Sequence, residues 1–162
     1  MGQNIVAGMI AGAAGTTALN IATYIDMAIR GRSASTAPSD LVDSVTKRLN
    51  LPLTSQGVDA QDEQKQNRES GLGALLGYMS GLGVGIIYSL IRSRVETVPL
   101  PLAALGVGLG AMAASDVPLI ASRVSDPRSW GVSGWLSDLI PHLLYGLVTV
   151  ATYESLIDES DA

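Results

Sequence analysis

The sequence predicts an all-α polytopic membrane protein, a bundle of four transmembrane helices packed through glycine. Three observations carry that prediction. Charge is segregated: of 25 charged side chains, 12 lie between Arg30 and Glu69, and before Arg30 only Asp26 is charged. The stretches freed of charge reach the roughly 20 residues needed to cross a hydrocarbon core about 30 Å thick. Eighteen glycines and no phenylalanine in 162 residues make a poor water-soluble core, where aromatic rings supply much of the buried area.

Taken in order, the first span covers residues 5–28. Ile5 to Ile25 is uncharged, rich in Ala and Gly, and closed by Asp26. No Lys or Arg precedes it, so it reads as a retained span; a cleaved leader needs a basic start. Val6 stands where a myristoylation motif has Ser or Thr. A polar loop over 29–69 follows. Within it, Pro38-Ser39-Asp40 marks a helix start, with Ser39 or Asp40 as cap. Leu41, Val42, Val45 and Leu49 then share one face opposite Asp43, Lys47 and Arg48, the spacing of a short amphipathic helix over the bundle end or on the membrane. Asp59 to Glu69 lacks Pro and Gly and extends the next helix beyond the bilayer. The second span covers 70–91 and the third 98–122, broken only by Asp116. The fourth, 135–156, carries Asp138, His142 and Glu154, and Trp130, Trp135 and Tyr153 flank it as aromatic rings flank membrane interfaces. All 162 residues form a single membrane domain.

Orientation follows from Lys and Arg. Arg30, Arg32, Lys47, Arg48, Lys65 and Arg68 occupy the first loop, and Arg123 and Arg128 the third. The other side has Arg92 and Arg94 and an acidic tail of Glu154, Asp158, Glu159 and Asp161. The first and third loops therefore face the cytoplasm of a bacterial plasma (inner) membrane, with both termini outside. A net charge of −5 argues against nucleic acid as a partner, because phosphate neutralisation needs clustered cations. The chain has no cysteine and one histidine. Disulfides, thiolate metal sites and multi-histidine metal sites within one chain are thereby excluded. No phosphate-binding loop, His-Glu-x-x-His or Gly-x-Ser-x-Gly motif occurs. The sequence implies neither enzyme nor cofactor.

In lipid, small residues let backbones approach and dispersion contacts hold helices together. Gly73, Gly77, Gly81 and Gly85 recur every four residues along the second span. Gly8 and Gly12 repeat the device in the first span, and Gly106, Gly110 and Ala114 in the third. These faces serve packing within the chain, self-association, or both.

A second pattern is polar. Asp138, His142, Tyr145, Thr149 and Thr152 lie 4, 3, 4 and 3 residues apart, which keeps them on one face of the fourth helix. Thr16, Asn20 and Thr23, with Asp26 one turn further, form a similar stripe in the first. Polar side chains in a span avoid lipid, so both stripes are expected to face the bundle interior. Hairpin geometry places Asp26, Asp116, Asp138 and His142 at a similar depth. Pro118 and Pro141 lie beside them, each leaving a carbonyl free. Such a group could pass protons or a cation, with Asn20 and Tyr145 further along the path. The structural alternative pairs Asp26 with Arg30, Asp138 with His142, and Asp116 with Arg123 or Arg128.

Gly15-Thr-Thr-Ala-Leu-Asn-Ile-Ala-Thr-Tyr-Ile-Asp-Met-Ala-Ile-Arg-Gly-Arg32 and Asp138-Leu-Ile-Pro-His-Leu-Leu-Tyr-Gly146 resemble segments of small uncharacterised four-span membrane proteins of GC-rich bacteria. The resemblance implies an inner-membrane protein and adds no chemistry. The sequence thus points to a non-catalytic membrane subunit or self-associating bundle whose partners are the lipid bilayer and a second copy or larger complex. The alternative is a small proton or cation pathway.

Overall fold

Chain segments that lack both charge and strand-favouring alternation satisfy their backbone as helix, and here each becomes one uninterrupted rod. The computed structural model describes residues 2–51, 53, 61–95 and 98–158; Asp59, Thr97, Glu159 and Asp161 lie outside them. The order is α1 (Gly2–Arg30), α2 (Ala37–Arg48), α3 (Gln61–Arg92), α4 (Leu100–Ala121), a 3-10 turn (Pro127–Ser129) and α5 (Gly131–Asp158). Among the described residues, α1, α3 and α4 are long and apolar enough to cross a membrane. Helix α5 has the length, 28 residues, but Asp138, Pro141, His142 and Glu154 interrupt its apolar stretch. Pro118 and Pro141 both sit inside continuous helices.

The long helices alternate in direction and stand side by side in the order α3, α1, α5, α4. The start of α1 and the end of α5 lie at one end of the bundle, the terminal end; α2 covers the other, the loop end. Helix α5 is the most enclosed, burying Pro141, His142, Tyr145, Gly146, Thr149, Val150 and Tyr153. Apolar side chains face outward instead: Ile10 and Ile25 on α1, Leu75 and Met79 on α3, Leu102 and Val117 on α4 are all exposed. Only 22 to 33% of the most apolar stretch of each of α1, α3 and α4 is buried inside the bundle.

Close approach rests on particular glycines. A Cβ on Gly12 would lie 2.6 Å from the Gly81 carbonyl oxygen, and one on Gly8 2.7 Å from that of Gly85. A Cβ on Gly85 would in turn meet the Gly8 carbonyl and lie 2.8 Å from the Gly12 Cα. Helices α1 and α5 meet where Gly15 faces Thr149 and Tyr145; α4 and α5 meet where Gly108 faces the His142 carbonyl and Gly146 that of Ala104. Gly73 abuts Pro38 of α2. Gly77, Gly106 and Gly110 meet nothing within 4 Å. The intrachain contact that the spacing assigns to Gly106 and Gly110 is made by Gly108, two residues or about 200° around the helix.

Helix α2 starts earlier than the sequence suggests. Thr36, not Ser39 or Asp40, is the N-cap, and Pro38 lies in the first turn, where its fixed φ suits a helix and its missing N–H costs nothing. Arg48 donates to the Ser122 carbonyl at 3.3 Å. Asp43 meets Lys47 at 2.6 Å and Lys65 of α3 at 2.8 Å. Hydrogen bonds from Lys47 and then Lys65 hold the Asp43 carboxyl down at about 2, below its ordinary 3.8.

The glycine geometry separates two substitutions that the sequence treats alike. Gly85→Ala forces a methyl against the α1 backbone at Gly8 and Gly12, and is expected to destabilise by about 1–3 kcal/mol, the range for overpacking. Gly77→Ala adds a methyl in open space and gains helix propensity of up to about 1 kcal/mol. Thermal unfolding of both variants in the same detergent, followed by circular dichroism, checks the order; equal shifts would remove the account.

Candidate functional site

The polar side chains of α5 gather two groups of partners, and a third polar group forms at its far end. At the loop end Asp26 lies between two arginines: Arg30 Nε approaches Oδ1 at 2.7 Å and Arg32 Nε donates to Oδ2 at 2.5 Å. Arg30 also reaches α5, donating to Ser133 Oγ at 2.5 Å and to Ser137 Oγ. Ser137 Oγ in turn lies 3.3 Å from Asp26 Oδ2. Arg30 binds the carboxylate because it follows by one helical turn. Arg32 reaches it because Gly31, at φ 62°, takes the left-handed conformation that ends the helix and turns the chain back. Asp26 is therefore a charge-neutralised tether between α1 and α5.

The second group belongs to α4 and α5. His142 Nδ1 lies 2.8 Å from the Asp138 carbonyl oxygen and 3.2 Å from Asp138 Oδ1. A carbonyl only accepts, so Nδ1 carries the hydrogen. His142 Nε2 lies 3.3 Å from Ser115 Oγ, and Ser115 donates to the Met112 carbonyl at 2.9 Å. The ring is only 8% exposed. Asp116 makes no ion pair with Arg123 or Arg128 among the described residues; it lies near enough to Asp138 and His142 for its charge to interact with theirs. Asp138 Oδ2 is buried and has no hydrogen-bond partner. The correction has a simple cause: Arg123 lies beyond the end of α4 in a left-handed conformation, φ 62°, where the chain turns toward α5.

Depth alone therefore did not unite the four groups the sequence singles out. Asp116, Asp138 and His142 come together, while Asp26 is held apart by its arginines. Asn20 is half-buried on α1. Tyr145 is buried, 1% exposed, and donates to the Gly81 carbonyl of α3 at 2.6 Å. Thr149 is fully buried. Tyr145 and Thr149 lie on the side of His142 nearer the terminal end. Among the described residues no group of three His, Cys, Asp or Glu is placed to hold a metal ion.

The third group joins residues far apart in sequence. Arg92 at the end of α3 binds Glu154 of α5 through two nitrogens, Nε to Oε1 at 2.8 Å and Nη2 to Oε2 at 3.1 Å. Tyr88 donates to Oε1 at 2.7 Å and packs edge-on against Tyr153, with centroids 5.2 Å apart. The one sequence signal was charge economy: Glu154 interrupts an apolar stretch, and Arg92 ends another at the same end of the bundle.

A partly buried carboxylate left without its cation costs more than losing the whole pair. With both side chains about a quarter to a third exposed, Arg92→Met is expected to destabilise by about 1–2 kcal/mol, and the double variant with Glu154→Met by clearly less. Unfolding of both variants and the parent chain in detergent measures the coupling; additive losses would overturn it. No protein-family model, curated protein or solved structure matches this chain.

Proposed function

We propose that the chain is a non-catalytic, four-span protein of the bacterial plasma membrane that associates with a second copy, or a larger membrane complex, through the outer face of α4. The observation that carries this reading is the division of labour among glycines. Gly8, Gly12, Gly15, Gly81, Gly85, Gly108 and Gly146 each face a neighbouring helix of the same chain, whereas Gly106 and Gly110 meet nothing within 4 Å. With exposed Ala114 they form the small-residue spacing that lets two membrane helices pack backbone to backbone. The fourth span is α5, whose polar groups are shielded because the other three helices and its own pairings surround them. Both termini lie outside and the α2 loop in the cytoplasm, following the Lys and Arg bias.

Replacing Gly106 and Gly110 together by Leu alters only the outer face of α4. In a mild detergent, light scattering is expected to show the parent chain as an oligomer and the double variant at the mass of one chain. An unchanged mass would end the association reading.

The nearness of Asp116 to Asp138 and His142 favours a second reading, a proton or cation pathway. Neighbouring carboxyl groups and a buried imidazole are the parts from which intramembrane relays are made. In proteoliposomes under an imposed pH gradient, the parent chain would carry a flux that Asp138→Asn with His142→Ala abolishes. Absence of flux, or a flux the double variant preserves, disposes of this reading.

A further inference from the structure

At the loop end, the turn from α4 into α5 builds a surface that nothing within the chain uses. Pro127, Arg128, Gly131, Val132, Trp135 and Leu136 line an open cleft of about 560 Å³. Its walls are apolar: Val132 is 78% exposed, and Leu136 and Trp135 are exposed beside it. Trp135 packs against Trp130 with the rings tilted by 53° and centroids 5.0 Å apart, and Trp130 Nε1 donates to Ser125 Oγ at 2.9 Å, which fixes the pair. One full charge stands in this lining, the exposed guanidinium of Arg128. Asp126 is the nearest acid in sequence, but its Oδ1 accepts from the Arg128 backbone N–H at 3.0 Å, capping the 3-10 turn. Four cations of this end are held in ion pairs, Arg30 and Arg32 by Asp26, Lys47 and Lys65 by Asp43; Arg48 and Arg68 donate to the Ser122 and Leu53 carbonyls, and exposed Arg123 lies outside the cleft lining. Arg128 makes no side-chain ion pair among the described residues.

We infer that this cleft binds an anionic phospholipid, the Arg128 guanidinium taking the headgroup phosphate and the Val132–Trp135–Leu136 wall an acyl chain. The complementarity is specific in kind. A guanidinium presents paired donors that match phosphate oxygens, tryptophan sits at the depth where headgroup meets chain, and apolar surface beneath it faces hydrocarbon. A soluble anion would leave that wall uncovered, and a zwitterionic lipid would bring its own cation to the guanidinium. The inference rests on the reading of the chain as membrane-spanning. It adds that one lipid class is held at one place.

Trp130 and Trp135 are the two tryptophans of the chain, so intrinsic fluorescence reports on this cleft. The protein is reconstituted in phosphatidylcholine vesicles containing the same small fraction of bromine-labelled phosphatidylglycerol or bromine-labelled phosphatidylcholine. The anionic quencher is expected to show about fivefold higher apparent affinity, the effect of one cation at the membrane surface. Arg128→Gln should bring the ratio to one, and Arg94→Gln, at the opposite end, should leave it. Equal quenching by the two lipids, or a preference that survives Arg128→Gln, overturns the inference. Failure of the membrane reading looks different: neither lipid quenches, and the protein does not float with the vesicles.

Discussion

The arrangement depends on where the polar face of α5 is put. This helix carries an acid, an imidazole, a proline and a second acid along a rod of 28 residues, and in an apolar surrounding each would be costly unless paired. Turning that face inward solves the problem, because α1, α3 and α4 each have apolar residues to spare for the outside. Two clamps then fix α5 at its ends. Arg30 of α1 holds it at Ser133 and Ser137, and Arg92 of α3 holds it at Glu154. Between the clamps the helices meet through glycine, against backbone at Gly8, Gly12, Gly108 and Gly146 and against buried side chains at Gly15 and Gly81.

Much of this was readable. Runs with little or no charge gave the four long helices, and one-turn spacing gave the Asp26–Arg30 and Asp138–His142 pairs. The seam from His142 through Tyr145 to Thr149 faces inward as a polar stripe in an apolar helix must. What failed had a physical reason in each case. Helix α4 holds two small-residue stripes, Ala104 with Gly108 and Ala111, and Gly106 with Gly110 and Ala114. Spacing alone does not say which of them faces α5, so the choice fell on the glycine-richer stripe. The Arg92–Glu154 and Asp116–Asp138 pairs span different helices, and nothing local in the sequence encodes which side chains meet across a bundle.

The contrast along α3 sharpens the picture. From Gly81 to Ser89 it lies against α1 so closely that Gly8 and Gly12 meet its backbone. From Ala74 to Ser80 every residue is exposed, and contact resumes only where Gly73 meets Pro38 of α2. The seam of α3 with α1 is thus tight toward the terminal end and open toward the loop end, whereas at the level of His142 it is α4 that packs closely on α5, Gly108 against the His142 carbonyl.

The close packing toward the terminal end weighs on the two functional readings unequally. A relay across the whole membrane must continue beyond His142 toward the terminal end, where the next inward residue is Tyr145. Its hydroxyl is committed to the Gly81 carbonyl at 2.6 Å, its ring is buried, and Val150 and Tyr153 fill the space behind it. Passage would require α3 and α5 to separate there, against the Arg92–Glu154 clamp and the Tyr88–Tyr153 contact. Association through α4 asks for no such movement, since Gly106 and Gly110 already face outward on a helix whose inner face is fully occupied by α5. The reading that leaves the terminal half of the bundle undisturbed is the one that demands less of this structure.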